Sequence, residues 1–418
     1  MLTERVIFLL LLAVSAGASA QSTITISKAD LAGRFLLQTN YEQKNGLQDF
    51  MTSRSRIVTF RRKNHALRMI EVPYDSTSSP RRLATLPIRG ETAHTLMVNF
   101  NAGFDKIYDE EDRTGEDYYG RVEKHDYSFF RLFRRKMLSV SRVGATLVLE
   151  QRAFKRDNMR VLVHYYLTPY RPDPDFKPLV MKNLDHFGLY ETYPRRIGGR
   201  TVLYGTKFNA DKPIVFALSS EIPARYRSAV RDGVLYWNKA LGRPLLHVVD
   251  APKDVTAPDP RYNVIQWVTN GDYASTAHIQ CDPLTGEILH ADIFIISATI
   301  SAGGLDEQRD QLRYIVAHEV GHALGLRHNF APGPPSTVMN YFGLKRTEEI
   351  GRDVIASDHE ALAFDRKVIR HVYLGKPLDV NNLPAFCTDS QPGCLPFRHR
   401  GRGMVSAVPA SKAARSHP

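Results

Sequence analysis

Cysteine is scarce in this chain: Cys281, Cys387 and Cys394 are the whole set among 418 residues. So few thiols exclude a fold stapled by several disulfides, and the core must come from apolar packing. In an oxidising compartment Cys387 and Cys394 could close one small loop, which leaves Cys281 odd and buried. Long apolar runs are missing as well. The run Val6–Val14 falls well short of the ~20 residues that cross a bilayer, and nothing later qualifies, so no transmembrane segment is expected. With Arg5 before that run and Ala18-Ser19-Ala20 before Gln21, residues 1–20 read as a cleavable signal peptide. The mature chain is therefore expected to be secreted or periplasmic. No acidic run has calcium-loop spacing. The net charge is +12, yet no nucleic-acid motif accompanies it, so a solvated basic surface is expected and no nucleic-acid partner. Five of those charges fall in residues 398–418, which contain no Asp or Glu and read as a disordered basic tail.

What is present is enough chain, 43% of it hydrophobic, for two globular domains. Residues 21–205 read as a β-rich domain. Two hairpins stand out there: Arg56–Phe60 leading into the turn at Lys63-Asn64, and Ala145–Phe154 paired with Met159–Leu167 across Arg156-Asp157-Asn158. Between them, residues 105–135 are rich in charge and aromatics, including Tyr108, Phe129, Phe130 and Phe133, and are assigned to core and interface packing. From Lys212 the pattern changes. Ile214–Leu218 reads as a strand, followed by a helix capped by Ser219 or Ser220, with Pro223 in its first turn and an apolar stripe of Tyr226, Val230, Val234 and Trp237. Leu245–Val249 and Asn263–Val268 are further strands. Glu287–Ile296 is the expected edge strand, with Leu289, Ala291, Ile293 and Ile295 facing a core and His290 and Asp292 facing solvent. A helix is expected over 348–372.

The chemistry is concentrated in residues 318–328, His-Glu-Val-Gly-His-Ala-Leu-Gly-Leu-Arg-His. On a helix His318 and His322 are about 40° apart around the axis, so both rings leave the same face. His328 cannot join them from the same helix, because it would lie ~15 Å along the axis from His318. The chain must turn, and Gly325 is placed to take the left-handed conformation that ends a helix. Three neutral imidazoles on a tetrahedral Zn2+ leave a fourth position for water, the pattern of a catalytic site rather than a structural one. Glu319, next to the first ligand, is then the general base and later the general acid of peptide-bond hydrolysis. No cysteine precedes Cys281, which excludes a thiolate from an upstream segment as a cap on the metal.

Downstream, a loop with Pro332, Gly333, Pro334 and Pro335 leads into Ser336-Thr337-Val338-Met339-Asn340-Tyr341. Together with the zinc helix this stretch resembles the Met-turn of the metzincin metalloproteases. The resemblance implies that Met339 forms an apolar floor under the imidazoles and that Tyr341 hydrogen-bonds an oxyanion. Asn329, directly after the third His, argues against the astacin, serralysin and matrixin subfamilies. A narrower likeness, in HEVGHALGLRHNF, in 225–241, in 261–268 and in 282–295, is to bacterial secreted zinc-dependent metalloproteases that carry an N-terminal domain of unassigned function.

The resulting expectation is an α+β protein in which a β-rich N-terminal domain precedes a metzincin-type catalytic domain at 212–397, with a mixed sheet and a zinc-binding helix. It would be a zinc-dependent metalloendopeptidase whose peptide or protein substrate binds in extended form. The competing expectations are a cell-envelope binding or scaffold protein that retains zinc without turnover, and a carbohydrate or lipid binder that acts through its β-rich half.

Overall fold

The computed structural model describes residues 23–379 except 46, 74–78, 109–128, 182–187, 193–194, 254, 272–273 and 332, together with 386. Residues 1–20, Cys387, Cys394 and the basic tail lie outside the described residues.

The first half builds one large antiparallel sheet from β1 (Thr23–Ser27), β2 (Arg34–Asn45), β3 (Leu47–Lys63), β4 (Ala66–Glu71), β5 (Arg81–Glu91), β6 (Thr95–Asn99), β7 (Phe133–Val143), β8 (Thr146–Phe154) and β9 (Arg160–Pro169). Their order is β1-β6-β5-β4-β3-β2-β9-β8-β7. Both expected hairpins pair as read: β3 with β4 around Asn64, and β8 with β9 around Asn158, each turning on a residue with positive φ (54° and 66°). Alternation sends one face inward, where Phe35, Leu37, Val58, Phe60, Leu67, Met69, Val161, Val163 and Tyr165 enclose Phe100 and Phe104.

The second half carries a mixed sheet of β10 (Ile214–Leu218), β11 (Leu246–Asp250), β12 (Asn263–Val268), β13 (Thr276–Cys281) and β14 (Ile288–Ile296), ordered β11-β10-β12-β14-β13. All pair in parallel except β13 with β14. Helices α1 (Arg227–Leu241) and α2 (Leu305–Ala323) share a core with one face of it, through Val230, Val234, Trp237, Val316 and Val320 against Phe216, Ile265, Ala291, Ile293 and Ile295. Leu189 belongs to this second core, and Leu179 and Met181 pack against it. Two expectations change here. Ser219 does not cap α1; its hydroxyl accepts from the amide of Glu221, and a 3-10 turn at Ala224–Tyr226 leads into the helix. The stretch 348–372 is not one helix but α3 (Leu344–Ile350), a π turn at Gly351–Ile355 and α4 (Ala363–Leu374). A Cβ at Gly351 would fall 1.9 Å from the carbonyl oxygen of Asp310, so α2 presses on the chain where α3 gives way.

The edge strand is β13, not β14. Strand β14 lies between β12 and β13, and its second face is covered by the large sheet rather than by solvent. His290 and Asp292 are therefore buried, 7% and 2% exposed, while Leu289 is 43% exposed. Phe50 stacks on Phe294 with ring centroids 4.1 Å apart, Gln280 donates to Asn40, and Tyr166 Oη donates to the carbonyl of Pro258 at 3.0 Å. This interface is polar and titratable. Burial would lower His290, but the Asp292 carboxylate, 3.1 Å from its Nε2, outweighs this and raises it. Burial pushes His278, cross-strand from Asp292, down to about 4. Because the folded pKa of His278 is depressed, its neutral form contributes stability above its ordinary 6.5, and this is lost as pH falls toward 4. Between about pH 7.5 and about pH 5, urea unfolding is expected to show the parent losing roughly 2 kcal/mol more than His278→Gln.

Among the described residues no helix is long and apolar enough to cross a membrane.

Candidate metal centre

Helix α2 opens with Glu307 reaching back to the amide of Gly304 (2.5 Å) and with Asp306 in its first turn, both favourable at a helix N-terminus. Its buried side is built around a missing side chain. A Cβ at Gly321 would sit 2.2 Å from Met339 Sδ and 2.7 Å from Trp237 Cζ2, so this glycine lets Met339, fully buried, press against the turn that carries His322. The indole of Trp237 donates to the carbonyl of Ala317 at 2.8 Å and fixes that side of the helix.

The helix ends at Ala323, and Gly325 takes φ +97°, as its position in the motif implies. The return path is held by a short upstream segment. Tyr190 donates its amide to the carbonyl of Gly325 (2.8 Å), the amide of Arg327 donates to Gly188 (3.1 Å), and Leu189 bridges Leu326. His328 is thereby carried back under the helix.

The three rings meet. The Nε2 atoms of His318, His322 and His328 are 3.0, 3.1 and 3.2 Å from one another, and the residues are 4%, 4% and 1% exposed. Among the described residues this is the one group of three or more His, Cys, Asp or Glu whose ligand atoms draw together this closely. The tautomers follow from the other ring nitrogen. His318 Nδ1 lies 2.7 Å from the carbonyl oxygen of Val338 and His322 Nδ1 lies 2.8 Å from that of Leu326. A carbonyl only accepts, so each Nδ1 carries the proton and each neutral Nε2 turns a lone pair toward the common centre. Converging lone pairs repel unless a cation sits among them. Zn–N bonds of ~2.0–2.1 Å in a tetrahedron imply N···N separations of roughly 3.3–3.4 Å, close to those found, so the donor set fits zinc.

The turn at 337–341 is tied to this cluster by backbone groups. Val338 O accepts from His318, Met339 O accepts from the amide of Asn329 (2.6 Å), and Tyr314 Oη donates to Asn340 O (2.5 Å). Asp365 of α4 anchors it from below, accepting from Thr337 Oγ1, from Tyr236 Oη at 2.6 Å and from the Val338 amide at 2.9 Å. Burial pushes this carboxyl up to about 6 despite its three donors. Asp365→Ala would leave those donors buried without an acceptor, and a loss of about 3 kcal/mol is expected in urea unfolding.

Tyr341 lies beside the cluster, its ring centroid 4.4 Å from that of His328 and 5.4 Å from that of His318. Glu319, adjacent to His318 on α2, is 6% exposed. The structure thus brings together the three histidines and Tyr341, and Glu319 is buried next to His318 in sequence. Two neighbours carried no sequence signal: Asp365, a lone acid in an amphipathic helix, and Tyr190, whose hydroxyl is 3.4 Å from His322 Nδ1 although it lies far upstream.

Residues 306–335, which span most of α2, the Gly325 turn and all three histidines, match a family model described as Met-zincin. Over that stretch the chain is similar to the metzincins. No curated protein and no solved structure matches the chain. The matched stretch also supplies, among the described residues, all three clustered histidines.

Proposed function

We propose that this metzincin-like protein is a zinc-dependent metalloendopeptidase, and that it acts outside the cell or in the periplasm, as the character of residues 1–20 suggests. The observation that carries the reading is the meeting of three buried imidazoles, two of them held Nδ1-protonated by backbone carbonyls, next in sequence to a buried carboxylate. Zinc, when bound there, supplies a water of lowered pKa and a Lewis acid for a carbonyl. Glu319 takes a proton from the attacking water and returns it to the departing amine. Tyr341, packed on His328, donates its hydroxyl hydrogen to the developing oxyanion. Val338 and Leu326 hold the rings of His318 and His322 in the ligand tautomer through their carbonyls.

The substrate would lie extended along β13. Among the described residues no backbone group pairs with the outer edge of this strand, and α2 packs close to it. Strand addition binds main chain rather than side chain, which suits an enzyme that grips varied sequences. The test is hydrolysis of casein by the purified full chain. Cleavage that a chelator stops and added zinc restores supports the reading; zinc bound without any cleavage would favour a scaffold protein instead.

A further inference from the structure

The two sheets leave a cavity of about 350 Å³ where the loop after β13 leads into β14. That volume suits a small organic ligand, and none of the residues lining it belongs to the metal centre. Leu36, Pro169, Pro260 and Leu289 give it apolar walls. Three carboxylates also line it, and they differ in their partners. Asp173 pairs with Lys212 at 2.5 Å and accepts from Asn209, and Asp282 accepts from Tyr170 Oη at 2.9 Å and from the amide of Leu284. Glu287 is 7% exposed, and among the described residues nothing donates a hydrogen bond to its carboxylate. Burial, reinforced by the negative charges of Asp173 and Asp282 and opposed by Lys212 and Lys207, raises its pKa to about 7. A carboxylate buried without a partner is costly to ionise, and a cationic ligand would remove that cost.

The cation need not be a metal. Asp173, Asp282 and Glu287 do not bring their oxygens close enough together to share one ion, a condition met among the described residues only by the three histidines. An ammonium group, with three donors and no demand for a full ligand shell, needs one ionised carboxylate and a few acceptors. The apolar walls accommodate a hydrocarbon stem. Of the basic groups on the lining, Lys212 is engaged by Asp173 and His290 Nε2 lies 3.1 Å from the Asp292 carboxylate, while Arg171 is exposed to solvent, which disfavours an anionic ligand. We propose that this cavity binds a small organic cation, a primary ammonium on a short aliphatic stem, with Glu287 as its counter-ion.

The test is calorimetric titration of the full chain with n-butylammonium chloride, beside n-butanol as the uncharged analogue and Glu287→Gln as the variant of equal shape. Saturable binding of the amine is expected near pH 8, about tenfold or more weaker for butanol and for Glu287→Gln. In the parent the affinity should fall as pH drops through about 7, where Glu287 takes up its proton. The pH profile of the parent carries the test alone if the variant does not fold. Equal binding by parent and variant, equal binding of butanol, or no saturable binding of the amine would overturn the proposal.

Discussion

Replacing Glu319 by Gln is expected to lower peptide hydrolysis by about a thousandfold while the metal stays bound. Positioned acid–base groups contribute ~10²–10⁴ in rate, and here one carboxylate handles the proton in both directions, so the upper part of that range is appropriate. The substitution preserves shape and leaves the three imidazoles in place, with the ring of His318 held by Val338 O and that of His322 by Leu326 O. The measurement is kcat on a casein-derived peptide together with zinc content of the same sample. A variant with full zinc and parental kcat would remove Glu319 from the mechanism.

Gly325→Ala should be the most damaging single-methyl change near the site. Two penalties coincide there: φ of +97°, which L side chains rarely adopt, and a Cβ that would lie 2.2 Å from the carbonyl oxygen of Thr206. That neighbour is backbone, pinned in turn by the hydrogen bond from the Thr206 amide to Tyr190 O at 2.7 Å, so it cannot swing away. A loss of roughly 3 kcal/mol is expected in urea unfolding, together with reduced zinc retention because the turn delivers His328. Gly242 is the control. It also has positive φ, +76°, but its Cβ would meet only the end of the Arg370 side chain, so Gly242→Ala should cost about 1 kcal/mol and leave zinc binding intact. Equal damage at both positions would mean that conformation alone, and not the contact with Thr206, decides.

The metal centre was legible because its information is local: the imidazole spacing, the glycine and the Met-turn all fall between His318 and Tyr341. Strands β10 and β12 were readable to the residue, since short apolar runs in a parallel sheet buried on both faces leave little choice of boundary. What failed depends on distant partners. Thr276–Cys281 alternates, with Ala277, Ile279 and Cys281 toward the core, but it is short and carries a single large aliphatic residue, too weak a signal against Glu287–Ile296, so the edge position falls to β14 in the sequence reading. His290 and Asp292 read as solvent-facing because period-two alternation distinguishes two faces but does not say that a second sheet covers the polar one. Asp365 and Tyr190 reach the site only through tertiary packing, and neither sits in a local pattern that reports it.

The central claim is that three imidazoles, one of them delivered by the Gly325 turn, hold a single zinc ion. Zinc content of the purified full chain, measured by atomic emission beside that of His328→Ala, tests this most directly. The account predicts about one zinc per chain in the parent and almost none in the variant. Zinc absent from the parent, or equally abundant in both, would contradict it.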